Sequence, residues 1–293
     1  MKTHFNCIPC ILRQTIDTVN LATDQEEIKR QVVNEILNYL TTINFNDPPP
    51  VIGKNVYRII HEKTGNHDPY HEIKQRYNQL ALSFYDDLLK IVFRNSKPVQ
   101  MAAKLAVAGN VIDFGAQVKD IDIYQTIHSI EELSFEINDF ETFINDLSRT
   151  RKILYLADNA GEIVFDRLFI EILQRYYPEL GLEFTVVVRG EPIINDATRE
   201  DANMVGLDKI AHIIDSGDGA PATVLHHASS ELKKAFQDAD LIISKGMGNY
   251  ETLDDRNELI YYLLRVKCPQ VSQVIGAKEG SLVFKRNENY PHE

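Results

Sequence analysis

The chain carries two patterns of apolar residues, and one replaces the other near residue 150. In the first part, apolar side chains recur every three or four residues, as at Ile28, Val32 and Ile36, which places them on one face of a helix. Further helical patterns cover 52–64, 70–95, 98–115 and 137–147, and Pro48-Pro49-Pro50 indicates a loop. Residues 1–148 are therefore predicted to form an all-helical region.

From residue 149 onward, short and continuous apolar runs alternate with helical patterns. The runs cover 153–157, 184–188, 210–214 and 241–244, and two more strands are predicted near 271–275 and 281–285. Continuous apolar strands separated by helices are typical of right-handed βαβ units and a parallel sheet. Residues 149–293 are therefore predicted to form an α/β domain.

Charge and cysteine content narrow the class of protein. The formal net charge is −12 and no dense run of Lys or Arg occurs, so a nucleic-acid partner is not expected. No segment resembles a signal peptide or reaches the roughly 20 apolar residues that cross a bilayer. Three cysteines are too few, and odd in number, for a secreted disulfide scaffold. We expect a cytoplasmic protein without a membrane partner, and the sequence leaves its oligomeric state open.

Polar residues follow each of the first four predicted strands. They are Asp158, Asn159 and Glu162 after the first strand, Arg189 and Asp196 after the second, Ser216 and Gly217 after the third, and Lys245, Gly246, Gly248 and Asn249 after the fourth. Ligands bind beyond the carboxyl ends of parallel strands, and neighbouring strands lie only about 4.8 Å apart. These side chains are therefore predicted to surround one ligand.

The residue types indicate a metal and an anion. Asp158, Asn159 and Asp196 carry the hard oxygen donors that suit a divalent ion such as Mg²⁺ or Mn²⁺. Lys245 supplies positive charge for a phosphate, and glycines at 246 and 248 let backbone N–H groups approach its oxygens. The structural alternatives are that the three donors only cap helices and that Lys245 is a surface charge.

Asn110 and Asp113 are two polar residues in an otherwise apolar segment flanked by Gly109 and Gly115. Their spacing places them on one helical face. Such side chains need a partner or a polar cleft. They are predicted either to line a second wall of the site and touch the substrate, or to form an internal capping network.

Four motifs together resemble one known family. They are Gly109-Asn110-Val111-Ile112-Asp113-Phe114-Gly115, Asp158-Asn159-Ala160-Gly161-Glu162, Pro192-Ile193-Ile194-Asn195-Asp196-Ala197-Thr198 and Lys245-Gly246-Met247-Gly248-Asn249-Tyr250-Glu251. In this order they resemble the damage-control phosphatase family, first catalogued as domain-of-unknown-function family eighty-nine. The resemblance implies a helical N-terminal region joined to a Rossmann-like α/β/α domain.

The resemblance also implies an activity and a cofactor. The family's metal ligands correspond to Asp158, Asn159 and Asp196, its phosphate contacts correspond to residues 245–249, and Mg, Mn, Co or Ni is the expected metal. Members hydrolyse small phosphorylated metabolites, including sugar phosphates and damaged cofactor intermediates. Met247 and Glu251 depart from the branch that acts on sugar phosphates. The family has also been linked to protein carboxyl methylation.

Cys7 and Cys10 have the spacing of metal ligands, and the pair resembles that of the family's prokaryotic branch. A second, structural metal site would require two more ligands, for which His4 and Cys268 are the candidates if the ends of the chain meet. The alternatives are buried helix thiols and a redox pair, although no predicted strand precedes the pair as a redox motif would require.

The predicted reaction is metal-assisted hydrolysis of a phosphomonoester. A carboxylate such as Glu162 or Asp113 would orient the attacking water. A covalent role for Asp158 is the competing mechanism. It is disfavoured because phosphatases that form an aspartyl phosphate typically carry an Asp-x-Asp arrangement, and here residue 160 is Ala. Two other functions are considered, an S-adenosylmethionine-dependent carboxyl methyltransferase and a non-catalytic metabolite-binding protein. Classical dinucleotide binding and ATPase activity are not expected, because the sequence has no G-x-G-x-x-G after a strand and no G-x-x-x-x-G-K-[ST] loop.

Overall fold

The computed structural model describes residues 1–109 and 130–291, and the first of these two ranges contains six helices. They are α1 (Cys7–Ala22), α2 (Glu26–Leu40), α3 (Pro49–Thr64), α4 (His71–Ser83), α5 (Tyr85–Arg94) and α6 (Pro98–Ala108). Asn110 and Asp113, predicted to contact the substrate, lie outside the described residues.

Proline and glycine set the ends of α3. Pro49 and Pro50 occupy its first turn, where a missing N–H leaves no hydrogen bond unmade. Gly65 ends the helix with φ +70°, a left-handed conformation that glycine adopts without a steric penalty. The predicted start at residue 52 was therefore wrong by one turn, because the Pro-Pro pair initiates the helix and does not extend the loop.

Seven strands form one sheet. The strands are β1 (Phe135–Asn138), β2 (Lys152–Leu156), β3 (Glu183–Val188), β4 (His212–Asp215), β5 (Leu241–Lys245), β6 (Ile260–Arg265) and β7 (Leu282–Arg286). Their order is β1-β7-β6-β5-β2-β3-β4. The β6–β7 pair is antiparallel and the other pairs are parallel.

The remaining helices alternate with these strands. They are α7 (Phe140–Leu147), α8 (Glu162–Tyr176), α9 (Arg199–Met204), α10 (Ser230–Asp238), α11 (Gly246–Leu253) and α12 (Pro269–Ile275). Side chains alternate between the two faces of β2: Tyr155 packs with α6 and α8, whereas Leu154 packs with α10 and α12. The predicted α/β class with a mainly parallel sheet is confirmed.

Three assignments from the sequence were wrong. The predicted strand at 271–275 is helix α12, which starts at Pro269, and the central strand β6 was missed. Short apolar runs do not distinguish strand from helix without their partners. Strand β1 lies inside the region predicted to be all helical, and it forms by pairing with β7 at the far end of the chain.

The four strands whose ends were predicted to converge lie side by side. Strands β2, β3 and β4 follow one another toward one edge, and the chain then crosses over to place β5 on the other side of β2. The strand order therefore reverses between β2 and β5. In open parallel sheets this crevice at the carboxyl ends is where ligands bind.

The helical region does not have a core of its own throughout. Helices α5 and α6 share one hydrophobic cluster with the sheet and α8, whereas α1, α2 and α3 form a separate cluster that also holds Ile193 from the loop after β3. The predicted division at residue 148 is thus not a division of the core. Among the described helices, none combines the length and the apolar character needed to span a bilayer.

Candidate active site

A short antiparallel contact joins the turn after β2 to the loop after β3. The Ala197 N–H donates to the Asp158 carbonyl, and the Ala160 N–H donates to the Asn195 carbonyl, both at 2.8 Å. These bonds flank an isolated bridge between Asn159 and Asp196. The backbone thus brings together the three residues predicted from sequence to bind a metal.

The loop after β3 holds a strained residue beside this contact. Ile194 has φ +39°, a left-handed conformation that is unfavourable for a β-branched side chain. Its neighbours hold it there, because Asp196 donates its N–H to the Ile193 carbonyl at 3.0 Å and Ile193 is buried against α1 and α3. Strain of this kind concentrates at functional sites.

Three carboxylates and one amide lie together at this point. The Asn159 Nδ2 donates to Asp158 Oδ2 at 2.7 Å and to Glu162 Oε2 at 3.3 Å. Burial raises the pKa of Asp158 well above its usual value, and the charges of Glu162 and Asp196 raise it further. Burial also raises the pKa of Asp196, against the opposing charge of Arg189. The cluster carries more negative charge than its protein neighbours offset.

Arg189 lies behind these carboxylates. Its Nε donates to Asp196 Oδ2 at 2.6 Å, and its Nη2 is 3.9 Å from Asp158 Oδ1. The side chain is 2% exposed, and neither terminal nitrogen has a hydrogen-bond partner in the part of the chain that is described. The sequence predicted a substrate contact for Arg189; the structure instead places it where it orients Asp196 and Asp158.

Lys245 is also completely buried. Its ammonium group donates to Asp166 Oδ1 at 2.5 Å, Glu162 Oε1 at 2.6 Å and the Ala106 carbonyl at 2.8 Å. Burial alone would lower the pKa of Lys245, but the two carboxylates more than offset that effect and raise it. Three protein acceptors occupy the three N–H bonds, so the expected direct contact with a phosphate is not available to Lys245 in this arrangement.

Asp166 is a functional residue that the sequence analysis missed. It is fully buried, it accepts the Tyr155 hydroxyl at 2.6 Å as well as the Lys245 ammonium, and burial raises its pKa to about 6. The signal was present in the sequence, because Glu162 and Asp166 are four residues apart on one face of an otherwise apolar helix. Two acidic residues on a buried helical face indicate a buried cationic partner.

Asn78 of α4 was missed as well. Its Oδ1 accepts the Gly161 N–H at 2.7 Å, and its Nδ2 donates to Asp201 Oδ1 at the same distance. Gly161 has φ +78° and precedes α8. Asn78 therefore fixes the turn that carries Asp158 and Asn159, and only the tertiary structure reveals that α4 reaches this turn.

A cavity of about 590 Å³ opens in front of the carboxylates. Asp158, Asn159, Glu162 and Asp196 form its acidic part. The rest of its wall comes largely from α1, the start of α3, α11 and the segment after β6, including Cys7, Cys10, Pro50, Ile194, Met247, Glu251 and Cys268. Gly246 and Gly248, predicted to contact the substrate, also line it.

Gly246 allows α11 to approach the acidic part of the cavity. Its φ is +78°, and a Cβ atom built on it would lie 2.2 Å from Asp158 Oδ2. No other residue type fits without displacing that carboxylate. The backbone of the first turn of α11 thus lies beside Asp158, and the N–H groups at the start of a helix attract anions.

Three other predicted contacts do not reach the cavity wall. Ser216 is buried, accepts the Gly190 N–H at 3.0 Å and donates to the Asp218 carbonyl at 2.9 Å. Gly217 has φ +78° and packs against Ser229. Asn249 accepts the Thr223 N–H at 2.7 Å and donates to the Lys245 carbonyl at 2.8 Å. These residues support the loops around the site.

The acidic part of the cavity fits a divalent cation by the chemistry of its donors. Asp158, Glu162, Asp196 and Asn159 carry side-chain oxygens, which hard cations prefer as ligands, and burial, with the charges of Glu162 and Asp196, raises the pKa of Asp158. In residues 1–109 and 130–291, no three His, Cys, Asp or Glu side chains form a ready metal-ligand cluster.

The predicted second metal site at Cys7 and Cys10 is not formed in the described residues. Both thiols and that of Cys268 line the cavity and are free, so the ends of the chain do meet. Burial raises the pKa of Cys7 and of Cys10. Cys7 and Cys10 therefore contribute neutral thiols to the cavity wall.

Comparison with known proteins agrees with the fold. Residues 3–283 match the model of the damage-control phosphatase ARMT1-like domain. A damage-control phosphatase of Archaeoglobus fulgidus is 36% identical over 292 residues, which cover 97% of this chain and 99% of that protein. The damage-control phosphatase PH1575 of Pyrococcus horikoshii is 33% identical over 98% of this chain and 99% of its own length.

The crystal structure of that Pyrococcus horikoshii protein, described as a DUF89 family protein, superposes on this chain with a TM-score of 0.90. The superposition covers 98% of this chain and 100% of the other. Sequence and structure agree over nearly the whole length of each protein. The chain therefore belongs to the damage-control phosphatase ARMT1-like family.

Proposed function

We propose that the protein is a divalent-metal-dependent phosphatase that hydrolyses monoesters of small phosphorylated metabolites. The observation that carries the proposal is the backbone contact between residues 158–160 and 195–197, which sets Asp158, Asn159 and Asp196 side by side at the wall of a cavity. The names of the Archaeoglobus and Pyrococcus relatives support a phosphatase.

Asp158, Asn159 and Asp196 are the proposed ligands of the metal, which is Mg, Mn, Co or Ni. When bound, such an ion supplies Lewis-acid polarisation of a phosphoryl oxygen and lowers the pKa of bound water. Arg189 holds Asp196 through its Nε and limits the rotation of that carboxylate. Its positive charge also stabilises the ionised form of both aspartates.

The substrate phosphate is proposed to bind at the first turn of α11. Gly246 and Gly248 line the cavity, the N–H groups in the first turn of a helix have no partner within the helix, and the helix dipole adds to their attraction for an oxygen anion. Lys245 acts indirectly in this proposal, because it neutralises Glu162 and Asp166 and so reduces the negative potential that the phosphate meets.

Glu162 is the proposed residue that orients the attacking water. It lines the cavity and is held from both sides, by Lys245 at Oε1 and by Asn159 at Oε2. A carboxylate fixed in this way can accept a proton from a water molecule beside Asp158. Asp113, the other sequence candidate, lies outside the described residues.

The test is an assay of phosphate monoesters with and without EDTA, followed by addition of Mg²⁺, Mn²⁺, Co²⁺ or Ni²⁺. We expect turnover that EDTA removes and one of the ions restores. Asp158→Asn should lower metal-stimulated turnover at least ~100-fold, the size of effect that follows removal of one electrostatic group from an active site. Its melting temperature should not fall, because the variant removes a buried charge.

The exposed Asp208→Asn is the matched control and should behave as the wild type. Turnover that is insensitive to EDTA, or an active Asp158→Asn variant, would contradict the proposal. Small metabolites are the proposed partners, and the acidic net charge of −12 supports the absence of a nucleic-acid partner. A cytoplasmic location is proposed from the three free cysteines.

A further inference from the structure

Glu251 is a carboxylate on the cavity wall that the proposed reaction does not use. It lies on α11, five residues after Gly246, which touches Asp158. At a rise of 1.5 Å per residue, the two positions are about 7.5 Å apart along the helix axis. Glu251 therefore faces a part of the cavity beyond the proposed phosphate position.

The Glu251 carboxylate lacks a hydrogen-bond or ion-pair partner within residues 1–109 and 130–291. The α-amino group of Met1 and the carboxylate of Asp254 act on its charge, but the amino group pairs with Asp254 at 2.5 Å and donates to the backbone carbonyl of Glu251, not to its carboxylate. Burial raises the pKa of Glu251 to about 7. A partly buried and unpaired carboxylate is unfavourable, and a cationic ligand would relieve that penalty.

Sulfur-bearing side chains line much of the cavity wall near Glu251. Cys7, Cys10, Cys268 and Met247 line the same part of the wall, and the Cys7 and Cys10 thiols are neutral because burial raises their pKa. Arg265 and Lys267 also line the cavity, but Arg265 directs its Nε to the Gly280 carbonyl. The Glu251 carboxylate thus lies among soft, apolar sulfur groups, and Lys267, whose backbone N–H donates to Met247 Sδ, adds a positive charge to the same cavity.

We propose that Glu251 forms a subsite for a protonated amine at the end of the substrate distant from its phosphate. The inference rests on the proposed phosphatase function and narrows its substrate class to phosphate monoesters that carry an amino group. An ammonium group donates charge-assisted hydrogen bonds to a carboxylate, and an alkyl linker packs against the thiols and Met247. A neutral hydroxyl at the same place gains a weaker hydrogen bond.

The phosphate and the amine of the substrate would then bind at opposite ends of the cavity. In the metal-loaded protein, the proposed metal together with Lys245 and Arg189 would offset the carboxylates at the phosphate end, so an amine gains less there than at the unpaired Glu251. A substrate that reverses its orientation would bring its phosphate to Glu251, and like charges would repel it. Orientation and selectivity thus follow from the same residue.

The test compares ω-aminoalkyl phosphates with ω-hydroxyalkyl phosphates of equal length, from two to six carbons, in the metal-loaded wild type. For at least one chain length, kcat/KM should be about tenfold higher for the amine than for the hydroxyl ester. This ratio corresponds to the free energy that one hydrogen bond to a charged group contributes. Glu251→Gln should bring that ratio close to one, mainly through a higher KM for the amine. Glu251→Asp should keep most of the preference, since it keeps the charge.

Glu179→Gln, an exposed change on the 3₁₀ turn after α8, is the control and should keep the wild-type ratio. A wild type that hydrolyses both series equally at every length, or prefers hydroxyl esters, overturns the subsite. So does a folded Glu251→Gln variant with an unchanged ratio. Failure to hydrolyse any phosphate ester would instead overturn the phosphatase proposal, so the two failures are distinguishable.

Discussion

Arg189 donates its Nε to Asp196 Oδ2 at 2.6 Å, and its Nη2 lies 3.9 Å from Asp158 Oδ1. One guanidinium therefore touches both aspartates that are proposed to bind the metal. Because its side chain is buried, water cannot replace it. The shape of this guanidinium, together with its charge, fixes how far apart the two carboxylates lie.

The first prediction concerns that shape. Arg189→Lys keeps the positive charge but loses the planar fork, so Asp196 and Asp158 should no longer be held together. We expect kcat to fall ~100-fold with a smaller change in KM, measured on any monoester that the wild type hydrolyses. Arg199→Lys, which alters a half-exposed pair with Asp215, is the control; equal losses in both variants would contradict a positioning role for Arg189.

The second prediction concerns Lys245. Lys245→Met leaves Glu162 and Asp166 buried without their cation, and breaking a buried pair in this way costs about 3–5 kcal/mol. Urea unfolding should show that loss in the free energy of unfolding. The exposed Lys234→Met should change stability by less than ~0.5 kcal/mol. A Lys245→Met protein as stable as the wild type would mean that the lysine is not structural.

The third prediction separates backbone strain from contact at Gly246. Gly246→Ala and Gly276→Ala both place alanine at φ +78°, which costs about 1–2 kcal/mol in each case. Only at position 246 does the new Cβ meet Asp158; nothing lies within 4 Å at position 276. Both variants should lose similar stability by thermal denaturation, whereas only Gly246→Ala should lose metal-stimulated turnover. Loss of turnover in both would point to strain alone.

The fourth prediction concerns Asn78. Asn78→Ala leaves the Gly161 N–H without its acceptor and Asp201 without one donor, at a cost of about 1–3 kcal/mol. Turnover should fall as well, because the turn that carries Asp158 is released. The exposed Gln79→Ala on the same helix provides the comparison for both measurements. If Asn78→Ala loses stability but keeps full kcat, the turn is held by other contacts.

The fifth prediction concerns the pH dependence of stability. In the folded protein, burial raises the pKa of Glu251 from 4.5 to about 7, so the folded state holds a proton that the unfolded state releases. The Glu251 contribution to stability therefore decreases as the pH rises from about 4.5 to about 7. Glu251→Gln removes this dependence.

The melting temperature of Glu251→Gln should accordingly exceed that of the wild type above pH about 7 and match it near pH about 4.5. The measurement is a series of thermal melts across this range, with Glu179→Gln as the parallel variant. A constant difference between Glu251→Gln and wild type at every pH would show that Glu251 titrates normally.

The sequence was sufficient for the parallel sheet and for the residues at its carboxyl edge. Continuous apolar runs placed β2, β3, β4 and β5, and the polar residues after β2 and β3 supplied Asp158, Asn159 and Asp196. This success has a local cause, since buried parallel strands must be apolar throughout and their ends must be polar. The sequence was not sufficient where a short apolar run is compatible with both a strand and a helix, as at 260–265 and 271–275.

Tertiary structure alone decided which of these residues line the cavity. Lys245 and Arg189 carry charges that suggest a phosphate, but the fold buries both against carboxylates. Asn78 and Asp166 reach the site from α4 and α8. No local sequence pattern specifies which residues these helices contact. Sequence thus determined the types of group present at the sheet edge, through rules that act over a few residues. Their pairing depended on which distant helices pack together, because long-range packing decides whether a charge meets another side chain or the open cavity.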